Sequence, residues 1–293
     1  MANSIRGVRR LASCAFTGIA VCLALSATAT RAETVAMVTD VTGRVVVQGG
    51  SAGSNITVLT DIESETRLQL EGGARLVVIY LQSGDEYAFS GPAQVQFKAN
   101  GPQVAVGAQP QKRTSMLGRS SRDASIKPFG VTQGAMVMRG GAARIKLLNL
   151  AGTRTLETAP EFRWQGVEPG ARYQFELNDD TGKSLFEIQV EGVALKLPPT
   201  MKLQEGNNYT WMVSTRLADG RRYVNSGNFT IATADLRARA EALRPPADAP
   251  VAERVAFAVW LAQSRLTDEA RRYWKTLAGE RPNDARLRAL AAE

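Results

Sequence analysis

The sequence predicts a mainly β protein: two consecutive β units, the second a β-sandwich, followed by a short C-terminal α-helical segment. Three observations carry this. Residues 34–106 and 156–232 consist of short runs in which apolar and polar residues alternate, the period of a half-buried strand. Turn signals such as Glu71-Gly72-Gly73, Asp179-Asp180-Thr181-Gly182 and Asp219-Gly220 punctuate these runs. From Ala234 onward the apolar residues recur instead at three- and four-residue steps, as on a helix face.

Residues 1–32 differ in kind from the remainder of the chain. MANSIRGVRR carries Arg6, Arg9 and Arg10 and no acid, a largely apolar run extends from Leu11 to Ala29, and TRA precedes Glu33. A basic head, a short apolar body and a small-residue exit form a secretory signal peptide. The expected cut follows Ala32, with Thr30 three residues back, and a cut after Ala29 is the alternative. Ser13, Thr17, Ser26 and Thr28 dilute the run, which makes it marginal as a spanning helix of about 20 apolar residues. LASC, Leu11 to Cys14, has the look of a lipoprotein cleavage box but precedes the apolar run, so it is rejected.

Charge and composition then exclude several function classes. The chain carries 36 basic and 28 acidic residues, a net +8. Removing residues 1–32 takes away four arginines and no acids, which leaves 32 against 28, a net +4. A nucleic-acid-binding reading loses its main support with that segment, and none is expected. Both cysteines, Cys14 and Cys22, lie in it, so the expected mature chain has no thiol nucleophile, no disulfide and no cysteine metal site. There is no histidine. Ser-His-Asp and Cys-His catalysis and His-ligated zinc are therefore unavailable, and any catalysis would fall to carboxylates, lysine or tyrosine.

In residues 33–106, TVAMVTDVTGRVVVQ is rich in β-branched residues with a turn at Thr42-Gly43, and GGSAGSN is a loop. RLQLE alternates cleanly, while LVVIYL, Leu76 to Leu81, is apolar on both faces and reads as a central strand. Asp85-Glu86 in SGDEY is expected to be a turn between strands, with Tyr87 and Phe89 on one face beyond it. Residues 107–143 read as a basic linker with short strands. Lys112, Arg113, Arg119, Arg122 and Lys127 stand there against Asp123, without apolar periodicity, and VTQGAMVMR comes after them.

In residues 144–233 the strand-like runs are ARIKLLNL, FRWQ, RYQFELN, SLFEIQVEG, YTWMVSTRL and RRYVNSGNFTI. Residues 234–293 form the helical tail. Thr233 is the expected N-cap of TADLRARAEAL, which stops at Arg244-Pro245-Pro246. VAERVAFAVWLAQS, DEARRYWKTLAGE and DARLRALAAE come next, separated at Arg265-Leu266-Thr267 and Arg281-Pro282-Asn283.

These residues carry family resemblances. GRVVV, LQLEGGARLVVIYL, SGDEY and GPAQVQF make residues 36–106 similar to a FecR-type β domain. FecR proteins are inner-membrane regulators with a cytoplasmic helical domain ahead of a membrane span. Here only Met1 to Arg10 precede the apolar run, so the sigma-factor function is not expected to transfer and a periplasmic β module is. TAPEFRWQGVEPGARYQFEL resembles the first strands of an immunoglobulin/fibronectin-like sandwich, which implies Trp164 as its core aromatic. Residues 251–284 resemble one tetratricopeptide repeat, with Ala258, Ala270, Trp274 and Pro282 at matching spacings and Arg254 where a tryptophan is usual.

No residue pattern supplies a catalytic, cofactor or metal site. Neighbouring strand residues point to opposite faces, so Asp85 and Glu86 do not form one paired-carboxylate site. NDDTG lacks the oxygen-rich spacing of a calcium loop and reads as a hairpin. GGSAGSN lacks the closing Gly-Lys-Ser/Thr of a phosphate loop. Tyr209 and Trp211 are expected in the core before a carbohydrate platform, and Trp260 and Trp274 in helix packing before a peptide groove. Arg271, Arg272 and Lys275 are expected on a solvated helix face.

The sequence thus points to a non-enzymatic periplasmic or secreted protein of the bacterial cell envelope. It would need no cofactor and act by binding or scaffolding a protein or cell-wall component. The alternatives are a carboxylate-dependent enzyme on envelope polysaccharide and a membrane-anchored regulator that keeps residues 1–32.

Overall fold

Strand pairing in the computed structural model, which describes residues 33–49, 55–119, 127–128 and 144–292, resolves two sandwiches, antiparallel except where Thr153–Thr155 pairs in parallel with Phe229–Ile231, and four successive helices at the C-terminal end. The expected signal peptide at residues 1–32, the loop residues 50–54 and the strand-like run at 131–139 lie outside the described residues.

The first sandwich begins with β1 (Thr34–Thr42), β2 (Val45–Val47), β3 (Asp61–Glu63), β4 (Arg67–Leu70) and β5 (Arg75–Tyr80). It continues with β6 (Asp85–Ser90), β7 (Ala93–Lys98), β8 (Gly101–Val106) and β9 (Gln111–Thr114), before the short α1 (Met116–Arg119). One sheet runs β3-β1-β5-β6-β9 and the other β2-β4-β7-β8. Leu68, Leu70, Leu76, Val78, Phe89, Val95 and Phe97 fill the space between them. RLQL shows the alternation its sequence predicts, exposed then buried. RLVVIY is buried from Leu76 through Tyr80, because β5 is covered on both faces. Gly91 lets β6 turn into β7 against the preceding hairpin: a Cβ there would lie 1.9 Å from the Glu71 carbonyl oxygen.

The second sandwich contains β10 (Lys146–Leu147), β11 (Thr153–Thr155), β12 (Glu161–Gln165), β13 (Arg172–Asp179) and β14 (Ser184–Glu191). β15 (Ala194–Lys196), β16 (Asn208–Arg216) and β17 (Arg222–Ile231) complete it. A five-stranded sheet, β11-β17-β16-β13-β14, packs on the three strands β10-β12-β15. Its centre is aromatic. Trp164 and Trp211 are both fully buried, with ring centroids 6.4 Å apart, and Phe162 sits 5.1 Å from Trp211 and 4.9 Å from Phe175. Such tilted pairs add about 0.5–1.5 kcal/mol each beyond the area they bury.

The tail is α2 (Ala234–Leu243), α3 (Val251–Gln263), α4 (Thr267–Glu280) and α5 (Ala285–Ala292). Thr233 caps α2 as expected, its hydroxyl accepting from the Leu236 N–H at 3.3 Å. α3 buries eight residues, Ala252 and Val255 to Leu261, so it is apolar well beyond one stripe. Its second partner is the first sandwich. Met37 of β1, Ile79 of β5 and the nearby Val58 and Leu59 share a core with Val255, Trp260, Trp274 and Leu277. The face of β1 and β5 turned away from the first sandwich's interior is therefore covered by the tail, which explains the six successive buried residues of β1.

Candidate functional site

The acidic pair singled out by the sequence is not a turn. The turn precedes it, with Gly84 at φ 70°, and Asp85 and Glu86 open strand β6. They face opposite ways, as the strand period requires. Asp85 pairs with the exposed Lys112 at 2.9 Å. Glu86 is 2% exposed, stands opposite Ile79 and Arg113 in the sheet register, and receives Arg113 Nε and Nη2, each at 2.6 Å. The same guanidinium reaches Glu253 of α3 at 3.3 Å. Burial pushes the Glu86 carboxyl up, and the Arg113 hydrogen bond and charge only partly offset this. The pair was invisible locally because its cation comes from β9, whose four residues are all polar and all exposed. Arg113, held by Glu86, joins the first sandwich to the tail.

Asp179 does lie in a hairpin. One of its oxygens accepts from Thr181 N at 3.0 Å, Thr181 Oγ1 at 2.6 Å and Lys183 N at 3.0 Å. These bonds, the Thr181 hydroxyl first, hold its carboxyl below the usual carboxylate range. That oxygen is fully used in closing the turn. Among the described residues no cluster of three or more metal-ligating side chains occurs. Tyr209 and Trp211 are core residues, at 4% and 0% exposure, and Trp260 and Trp274 are buried in the tail. Trp211 Nε1 donates to the Leu150 carbonyl at 2.8 Å.

A cleft lies where the tail meets the second sandwich. It measures about 540 Å³ and is walled by β10, the chain from Leu148 to Leu150, β12, α4 and the end of α5. Its polar framework is built by the first turn of α4. Asp268 accepts the Leu150 N–H at 2.8 Å and holds Arg271 at 2.6 Å. Glu269 accepts the Leu156 N–H at 3.2 Å and lies 3.4 Å from the Thr155 hydroxyl. Beside them the Arg154 N–H donates to the Arg265 carbonyl at 2.7 Å, and Thr267 Oγ1 is 2.7 Å from Thr153 Oγ1. Arg265, between α3 and α4, and Leu150, between β10 and β11, both take positive φ, 63° and 51°. Burial raises the Glu269 carboxyl, against the lowering effect of the Leu156 N–H.

Along the rim, Arg163 pairs with Glu161 at 2.7 Å and Arg272 with Glu157 at 3.6 Å. Lys146 and Lys275 also line the cleft and make no ion pair with another described residue. The arrangement leaves two flexible cations beside carboxylates that hold backbone amides and arginines, with one oxygen, Glu269 Oε2, buried and without a hydrogen-bond partner. Two unpaired ammonium groups on flexible stems suit an anionic group. Arg271, Arg272 and Lys275, expected on a solvated face, are on this wall. Asp268, Glu269 and Lys146 carried no signal of their own in the sequence, since each acquires its role through a contact more than a hundred residues away or across the cleft.

No protein-family model matches the chain, and no curated protein does. Solved structures similar to parts of it include CopC from Methylosinus trichosporium OB3b, 21% identical, covering 31% of this chain and 96% of that one, with a TM-score of 0.25. The fn3 domain of human collagen alpha-1(XX) chain is 15% identical, covering 36% of this chain and 86% of that one, with a TM-score of 0.24. Likenesses of this size carry no argument about what the chain binds. The fold class stands on the strand order and register themselves: mainly β, with a short helical segment at the C-terminal end. Among the described residues no helix is long and apolar enough to cross a membrane.

Proposed function

We propose that the chain is an exported, non-enzymatic binding or scaffolding protein of the bacterial envelope. Its parts are a FecR-like β domain, a fibronectin-like sandwich and one tetratricopeptide-like helical pair. The observation that carries the reading is the bracing of both sandwiches by one tail. α3 is buried on β1 and β5, while the first turn of α4 is hydrogen-bonded to Leu150 and Leu156 of the second sandwich. Ala258, Ala270 and Trp274, the repeat-like positions, are at 0%, 2% and 3% exposure, so they serve packing within the tail. Bracing of this kind turns three small elements into one body and leaves a basic-rimmed cleft at their junction. The partner is an envelope protein or cell-wall component that presents anionic groups to Lys146 and Lys275.

Residues 1–32 supply the export signal in this reading, and a mature chain from Glu33 recovered in a periplasmic fraction is the expected product. One observation favours the enzyme reading instead: Glu269, with its raised pKa, lines the cleft. A perturbed carboxyl in a cleft is a candidate general acid. Against it, one Glu269 oxygen already accepts a backbone N–H, and the neighbouring Asp268 holds Leu150 and Arg271. Capture from an envelope extract on the immobilised chain from Glu33 onward tests the binding reading. Reproducible enrichment of one partner supports it. Absence of any enriched partner, together with polysaccharide cleavage that Glu269→Gln abolishes, would replace it with the enzyme.

A further inference from the structure

β14 is the outermost strand of the five-stranded sheet and eight residues long. β13 pairs with one of its edges, and among the described residues no strand pairs with the other. An edge strand of this length presents a row of free N–H and C=O groups. Natural edges are blunted by proline, charges, bulges or brevity; β14 is long and has no proline or inward charge, and carries only Glu187, Glu191 and the register shift near Ser184.

The two faces of this edge are chemically different. On the inner face, Phe186, Ile188 and Val190 stand opposite Leu177, Phe175 and Tyr173, all three core residues. Val190 is buried, yet Ile188 is 41% exposed. The facing sheet explains this: it ends at the three-residue β15, preceded by Val193 at 47% exposure. Ile188 and Val193 are therefore exposed apolar side chains on the two sheets at this end of the sandwich. On the outer face, Glu187 stands directly opposite Glu176. Each accepts one amide hydrogen bond at 2.9 Å, Glu187 from Gln174 and Glu176 from Asn178, and neither has a cation among the described residues. Like charges directly opposite in an antiparallel pair are destabilising.

We propose that β14 receives an extended segment of a partner protein whose alternate residues are apolar and basic. The segment adds a strand to the sheet, its apolar side chains covering the exposed Ile188. Its Lys or Arg residues emerge on the other face, beside Glu187, where they neutralise the Glu176–Glu187 pair. Main-chain hydrogen bonds supply affinity in such pairing and the alternate side chains supply selection. A second copy of β14 fits poorly as the occupant, because the strand contains no Lys or Arg and self-pairing leaves both glutamates uncompensated. The inference rests on the scaffolding reading and names a class of partner for it. None of the residues lining the basic cleft belongs to β14, so the two surfaces are separable.

The test uses the chain from Glu33 onward with three blocked eight-residue probes: alternating valine and lysine, alternating valine and glutamate, and the basic probe N-methylated at every second residue. Binding is read by calorimetry and by backbone amide exchange. The basic probe is expected to slow exchange within β14 and to bind up to about fivefold tighter than the acidic one, the upper end for one cross-strand charge pair. The N-methylated probe is expected to lose both effects. Glu187→Lys is expected to reverse the charge preference, and Lys146→Glu with Lys275→Glu to leave it unchanged. Equal binding of the basic and acidic probes overturns the inference, as does protection confined to another strand. Self-association of the chain that Ile188→Lys abolishes also overturns it, because the edge would then belong to a second copy. Retention of a captured partner by the cleft variants, with these probe results intact, would count against the cleft alone.

Discussion

The Asp268 carboxylate, in the first turn of α4, accepts the backbone N–H of Leu150, 118 residues earlier, at 2.8 Å. Leu150 is held from three sides: its N–H by Asp268, its carbonyl by Trp211 Nε1 and its side chain in the second core. A residue at φ 51° persists only where its surroundings over-determine it. The α4 corner is thus part of what gives the second sandwich its shape.

Asp268→Ala leaves the half-buried Leu150 N–H without its acceptor. Such a loss costs about 1–3 kcal/mol. The urea midpoint should fall accordingly, while Asp268→Asn, which keeps an oxygen acceptor, should lose less.

Arg281, at the end of α4, reaches Asp40 on β1 at 3.0 Å. Asp40 is 9% exposed, and removing its cation strands a charge. Arg281→Ala should therefore destabilise more than Asp40→Asn, though by less than the roughly 3–5 kcal/mol of a fully buried pair, since Arg281 is partly solvated. A double-mutant cycle by chemical denaturation gives the coupling.

Burial raises the folded-state pKa of Glu269 above its unfolded value. Its charged form is therefore penalised in the fold. The penalty is absent below the unfolded pKa and grows as pH rises through the folded value. Glu269→Gln removes the titration and keeps an acceptor for Leu156. Relative to the parent chain, this variant should gain stability as pH rises from the ordinary glutamate pKa of about 4.3 through the raised folded value. Urea midpoints measured across that range check the sign.

Ile79 faces the tail from β5, within the core it shares with α3 and α4. Ile79→Ala opens a cavity there, at a cost of about 2–5 kcal/mol. Amide exchange in α3 should quicken more than in β13 or β16, which do not touch that core.

The parts legible in the sequence were those in which a strand or helix settles its own burial. RLQL, RYQFELN and NYTWMVSTR alternate because one face is buried, and LVVIYL reads as central because both faces are. The parts that were not legible depend on distant partners. β9 is four polar residues that pair only because β6 offers an edge, and Glu86 is buried because that strand brings Arg113 to it. The cleft is assembled from residues near 146–163 and 268–292, so no local spacing announces it. Asp268 and Glu269 look in sequence like ordinary first-turn acids, favoured by the helix dipole, and acquire their role only when β11 arrives.

Partner capture repeated with the double variant Lys146→Glu, Lys275→Glu bears most directly on the binding account. Both lysines are exposed, so the variant should melt with the parent chain. The account predicts that a partner enriched from envelope extract by the parent is lost with the variant. Retention of the same partner at the same yield, by a variant of unchanged stability, would contradict it.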